Sequence, residues 1–299
     1  MIECVPNFSE GRRPEVIGAL AAAARAAGAR VLGTHADAAH HRSVVTFCGE
    51  PEVLERAAFD VVRLAAQKID LTGHRGRHPR IGAADVVPFV PLAGHAMGDA
   101  VQLARRVGRR IGEELEIPVF LYGHAATHPR RRNLPDVRRG QFEGLRASIG
   151  ADPSRRPDFG PARVHPTAGA VAVGARPILI AFNIDLETDD AAPARRIARS
   201  VRERDGGLAG IRALGFFHDE RGCAQVSLNV CDYGATSLRQ VFEAVVALAA
   251  REGIRVRSSE IVGLAPAAAL PPEWIGPLKL RGFDPLEQIL ENKLASPQA

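Results

Sequence analysis

One order of hydrophobic periodicities occurs twice in this chain, and it restricts the fold more than any other feature. Residues 2–8 read as a strand, 15–27 follow a helical period behind Pro14, and 30–35 and 42–48 are strands. Glu50-Pro51-Glu52 opens a second helix that runs to about residue 69. In the second half, 177–186 is an apolar strand and 192–204 an Arg-rich amphipathic helix. Residues 211–217 and 223–230 form a hairpin about Glu220-Arg221-Gly222, followed by a helix over 237–252 and a strand over 254–262. This is strand-helix-strand-strand-helix-strand, the split βαβ order. The expected fold class is α/β (α+β): two subdomains, each a β-sheet backed by helices with ferredoxin-like βαββαβ topology, and a cleft between them. The expected boundaries are 1–176 and 177–299. A chain of 299 residues agrees with that count at roughly 100–200 residues per domain.

A different kind of sequence lies between the lobes. Residues 74–92 are rich in Gly, Pro and His, 101–115 read as a helix and 118–122 as a short strand. The Arg-rich stretch 124–157 has few apolar residues and reads as a surface connector or lid. Residues 158–176 are punctuated by Gly and Pro. The tail shows little periodicity until 284–294, which reads as one helix.

Lys+Arg 39 against Asp+Glu 34 gives a net charge of +5, too mild over this length to imply nucleic acid. Aromatic residues are only 5%, and neither half carries the basic-aromatic strand signature of an RNA-binding module. The arginine excess suits small molecules that bear carboxylates. No run approaches 18 uninterrupted apolar residues, so no membrane span is expected. The opening residues lack a charged region followed by an apolar core, and the four cysteines show no Cys-x-x-Cys spacing. The expectation is a cytoplasmic protein with reduced thiols.

The chemistry-bearing residues cluster at His35-x-Asp37-x-x-His40-His41-Arg42 and at His74-x-x-x-His78. Imidazole exchanges a proton near neutral pH without large tuning. A metal site is one reading, since His74 and His78 have helical i, i+4 spacing. Gly73, Gly76 and Pro79 argue against a helix there, so the spacing loses its meaning and no metal is expected. His40, His95, His124 and His128, taken singly, read as solvated loop residues. Residues 74–85 (HRGRHPRIGAAD) are different. They join five basic or protonatable groups, two glycines and Asp85, and lead directly into an apolar strand. Glycine allows close backbone approach to a ligand, and Pro79 stiffens the chain after His78. Arg75, Arg77 and Arg80 are forks suited to carboxylates.

The stretches ECVPNFSEG, HRGRHPRIGAADVVPFVPL, DFGPARVHPTAGAVAVGAR, AFNIDL, AQVSLNVCDY, VFEAV and EIVGLAP resemble the glutamate formimidoyltransferase (formiminotransferase) family. They occur in the family's order from Ile2 to about Pro266. The resemblance implies two α/β subdomains, a homodimer, and the stand-alone form without a cyclodeaminase domain. It implies transfer of a formimidoyl group from N-formimino-L-glutamate (formiminoglutamate) to tetrahydrofolate, a late step of histidine breakdown. Tetrahydrofolate is then a co-substrate, and the partners are small molecules only.

By the same resemblance the catalytic histidine is His78, within His-Pro-Arg. The folate segment falls on Gly160, Pro161, Ala162, Arg163, Val164, His165, Pro166, Thr167, Ala168 and Gly169. His35, Asp37, Arg42, Arg75, Arg80 and Asp85 are the candidate substrate-binding residues. The chain departs from the family in having Arg77 where Glu is usual, His41-Arg42 for Asn-Arg, and Gly33 for Asp. A positive neighbour pushes His78 toward its neutral form. Formyl and formimidoyl donors differ by one exchange of O for NH. A glutamate formyltransferase is therefore the alternative, and a metal-dependent hydrolase using the histidine cluster a second one.

Overall fold

A computed structural model describes residues 1–38, 40–76 and 78–296, in two compact units, Met1–Pro177 and the chain from Ile178 on. The first unit is a seven-stranded sheet. β1 (Ile2–Cys4) and β2 (Asn7–Phe8) share one strand position, broken at Pro6, which has no N–H for the ladder. On one side lies the hairpin of β3 (Arg30–Asp37) and β4 (Arg42–Gly49), with β4 paired to β1 and β2. On the other side lies β5 (Ala84–Pro91), also antiparallel to β1 and β2. β6 (Val119–Gly123) and β7 (Val171–Ala175) extend the sheet in parallel, with β7 next to β5.

Helices α1 (Pro14–Ala26), α2 (Pro51–Lys68) and α3 (Met97–Glu114) cover one face. Pro14 and Pro51 stand in the first helical turn, where a missing N–H costs nothing. Leu20, Leu54, Leu103 and Ile111 meet Phe47, Phe89 and Leu121 in one core. Each such side chain contributes about 1.5–3 kcal/mol by leaving water.

The Arg-rich stretch is not a connector. It folds into α4 (Leu134–Val137) and α5 (Gln141–Ser148), whose Val137 and Leu145 pack with Ile149 on Val86, Phe120, Tyr122 and Ala172. These strand residues alternate with those facing α2 and α3, so they belong to the opposite face of the sheet. The first unit also exceeds the expected six-element order. β7, within the Gly- and Pro-punctuated stretch for which no strand was read above, is a buried strand between β5 and β6.

The second unit follows the expected order. β8 (Ile180–Leu186), α6 (Ala191–Val201), β9 (Ile211–His218), β10 (Cys223–Val230), α7 (Leu238–Arg251) and β11 (Val256–Val262) build a four-stranded antiparallel sheet, ordered β11-β8-β10-β9. Gly215 lets α6 lie directly on β9, because a Cβ there would stand 2.1 Å from the Ala194 carbonyl carbon. The single helix expected over 284–294 is instead two turns, Pro285–Gln288 and Leu290–Ala295, separated by an extended Ile289. Among the described residues no helix is long and apolar enough to cross a membrane.

Candidate active site

The ends of β2 and β3 and the starts of β4 and β5 meet at one edge of the first sheet. Phe8 pairs with Ser43 and Ala84, and Asp37 with Arg42. Two glycines permit this crowding. A Cβ on Gly11 would stand 2.2 Å from the Asp37 carbonyl oxygen, and one on Gly76 would stand 2.5 Å from that of His40. The loop carrying His74 and His78 is thereby laid on the tip of the β3–β4 hairpin. Together these segments form a small, partly open recess, lined by Phe8, Ser9, His40, His41, Arg42, His74, His78, Arg80 and Asp85.

Arg42 Nη1 donates to His78 Nε2 at 2.8 Å. A guanidinium has no acceptor, so that ring nitrogen presents its lone pair and the imidazole is neutral. Burial pushes the His78 pKa down to about 2, with Arg42, Arg138 and His40 adding to the effect. Arg42 is itself pushed down to about 10, by burial and then by Arg138, against the attraction of Asp85 and Asp37. The expected direction for His78 is found, but its sources are burial and these arginines. Arg77, invoked above, lies outside the described residues.

The remaining groups are held in a network. His74 Nδ1 accepts from Arg80 Nε at 3.2 Å and its Nε2 faces the His41 carbonyl oxygen at 3.0 Å, which fixes one neutral tautomer. With both nitrogens engaged, His74 offers no lone pair to a metal. Among the described residues no group of three or more His, Cys, Asp or Glu is arranged to hold one. The His41 ring stacks on His74 at 4.3 Å and 9°. His41 has φ 50°, a region where His and Asn are both enriched, so the exchange of Asn for His keeps the backbone. Gly33, the other departure, has open space where a Cβ would be. Asp85 accepts from the Ile81 N–H at 2.8 Å and pairs with Arg138.

The proposed site residues are not all brought together. Arg42, His78, Arg80 and Asp85 line the recess, and Asp37 stands beside it, accepting from the His40 N–H and facing His40 Nδ1, each at 2.7 Å. Arg80 is not an open clamp, because its fork is filled by Glu143 at 2.8 and 2.9 Å. His35, on β3, and Arg75 are exposed and line no part of it. The 160–169 segment is divided. The Thr167 and Ala168 carbonyls accept from Leu71 and Ala83, and Gly169 bridges Gly82, beside the His78 loop. Gly160 instead closes on Gly112 and Ile117, and Arg163 is exposed, paired with Glu116 at 3.6 Å. Sequence reasoning missed His40 and Arg138. His40 shares the hairpin tip with Arg42, a signal that was available; Arg138 had none.

Comparison with known proteins places the chain. Residues 1–176 match the formiminotransferase domain, N-terminal subdomain, and residues 181–272 match the formiminotransferase domain. A protein of Streptococcus pyogenes serotype M1, named glutamate formimidoyltransferase, is 43% identical over 295 residues, covering 98% of each chain. One of the same name from Thermoplasma acidophilum is 42% identical, covering 98% of this chain and 97% of its own. The formimidoyltransferase-cyclodeaminase of Mus musculus is 41% identical over 90% of this chain and 51% of its own length. A fold of two α/β units with this site and these relatives defines an enzyme, a transferase. The chain belongs to the formiminotransferase family.

Proposed function

We propose that this enzyme transfers the formimidoyl group of N-formimino-L-glutamate to tetrahydrofolate, giving L-glutamate and 5-formimidoyltetrahydrofolate in histidine breakdown, with His78 as the proton carrier. The observation that carries this reading is the neutral His78 held against Arg42 in a small, cation-rich recess. The pterin amine adds to the formimidoyl carbon, and the ammonium so formed gives its proton to the imidazole. The imidazolium, unstable between two arginines, passes that proton to the glutamate nitrogen as the carbon–nitrogen bond breaks. One ring thus serves as base and then as acid, and no proton is left over.

The recess is small. It suits the one-carbon end of the donor, while folate lies along the neighbouring 160–169 segment, where backbone groups and Arg163 are accessible. Arg42 is the substrate clamp, because the other lining guanidinium, Arg80, is already neutralised. His74, with both ring nitrogens engaged, speaks against a metal-dependent hydrolase. The family resemblance further implies a cytoplasmic homodimer, which sedimentation of the purified chain tests.

The functional test is a comparison of kcat/KM for N-formimino-L-glutamate and N-formyl-L-glutamate with tetrahydrofolate. Preference for the formimidoyl donor by at least about tenfold, near 1.4 kcal/mol, supports the reading. Preference for the formyl donor assigns a formyltransferase instead, and turnover of neither removes the reading.

A further inference from the structure

Arg138 lies outside every motif discussed so far, in the Arg-rich stretch after α4. Its side chain is only 12% exposed, and its Nη2 pairs with the buried Asp85 that lines the His78 recess. The Nε atoms of both Arg138 and Arg42 are buried and make no hydrogen bond. Two orphaned guanidinium donors in one small region are unusual, since buried N–H groups nearly always find an acceptor. The three arginines are also not matched alike. Glu143 neutralises Arg80 and Asp85 neutralises Arg138, whereas Arg42 donates to a neutral ring nitrogen. Asp37 and Asp85 attract Arg42 only through space, and the Nε donors of Arg42 and Arg138 have no acceptor, a role that an anion with two acceptor oxygens would fill.

We propose that Arg138, together with Arg42, receives a carboxylate of the acidic substrate, and that this carboxylate draws Arg42 away from His78 Nε2. A guanidinium binds carboxylate far more strongly than it binds a neutral imidazole, so the exchange runs toward the ligand. The lone pair of His78 is covered in the free enzyme and is released when an acidic donor is seated. A neutral amidine or formamide without the carboxylate leaves Arg42 in place and the base masked. Arg138 is then a binding residue with a second effect, since its ligand unmasks the proton carrier. Asp85 holds Arg138 through its Nη2, and the Arg138 Nε is left without an acceptor. The inference rests on the functional reading above for the identity of the substrate, though not for the existence of the carboxylate site.

The test uses glutarate, a dicarboxylate with no transferable group, on wild type and on Arg138→Lys. Lysine retains the charge beside Asp85, so the fold is kept, but it has no planar fork. Calorimetry reads binding, and the ring ¹⁵N resonances of His78 report its hydrogen bonding. Glutarate is expected to bind wild type and shift those resonances, and Arg138→Lys to weaken binding by at least about tenfold. No binding to wild type, equal binding to the variant, or binding with an unmoved His78 ring each overturns the inference. Failure of wild type to turn over N-formimino-L-glutamate, with the glutarate results as expected, removes the functional reading alone. With an active wild type, Arg138→Gln is expected to raise KM for the donor at least about tenfold and leave KM for tetrahydrofolate unchanged. If that variant does not fold, Arg138→Lys decides the matter.

Discussion

The Nη1 of Arg42 and the Nε2 of His78 stand 2.8 Å apart, so a cation that can only donate covers the lone pair that a proton carrier must use. The pairing makes His78 neutral at rest and makes its basicity depend on what Arg42 binds. It also brings β4 and the His78 loop together, two segments separated by 36 residues.

The first consequence concerns pH. The profile of kcat/KM reports groups of the free enzyme. Burial, then Arg42 and Arg138, hold the His78 pKa down at about 2. The ring is already in its base form and does not lose it as pH falls through the ordinary histidine range. Between about pH 8 and about pH 6, kcat/KM should change by less than about threefold. A limb with its midpoint near the usual histidine value would contradict this.

Gly76 offers a test of loop placement. A Cβ there meets the His40 carbonyl at 2.5 Å and the His41 Cβ at 2.9 Å, both in the hairpin tip. Gly76→Ala should lift the loop and cost at least about tenfold in kcat, because small misplacements of reacting groups are expensive. The core is untouched, so thermal unfolding monitored by circular dichroism should shift little. Wild-type turnover in this variant would show that the close approach is dispensable.

Glu3 predicts a separate effect on stability. It lies on β1, 7% exposed, and burial pushes its carboxyl from 4.5 up to about 7, against the pull of Arg176. Between those values the folded chain keeps a proton that the unfolded chain has lost. The penalty is absent below about pH 4.5 and complete above about pH 7, so this group weakens the fold as pH rises. Glu3→Gln stays neutral throughout. It should leave stability unchanged near pH 4.5 and add about 3 kcal/mol near pH 8, read from urea unfolding. An equal change at both pH values would contradict the account.

The legible parts of the fold were those whose signal is local. The apolar strands and proline-opened helices announce themselves within a few residues, and the second unit was readable from β8 to β11, though not in its tail. β7 was not, because VAVGA is short, made of small residues and contains Gly174, and only its parallel partners make it a strand. The helices over the second face were hidden by arginines. Phe142, Leu145 and Ile149 are buried at helical spacing, but their neighbours are charged. In the site, His78 and Asp85 were found through one dense segment, and Arg42 and Asp37 through another. The roles of Arg80 and Arg138 depend on Glu143 and Asp85, partners 63 and 53 residues away, which no local pattern reveals.

The central claim is that one imidazole carries the proton between two amines. Replacing it, as His78→Ala, and following both turnover and tetrahydrofolate binding in the same preparation tests this most directly. General acid–base catalysis of this kind is worth about 10²–10⁴-fold, so kcat should fall by at least about a hundredfold while the folate dissociation constant stays within about threefold. Turnover at the wild-type rate, with folate still bound, would contradict the account.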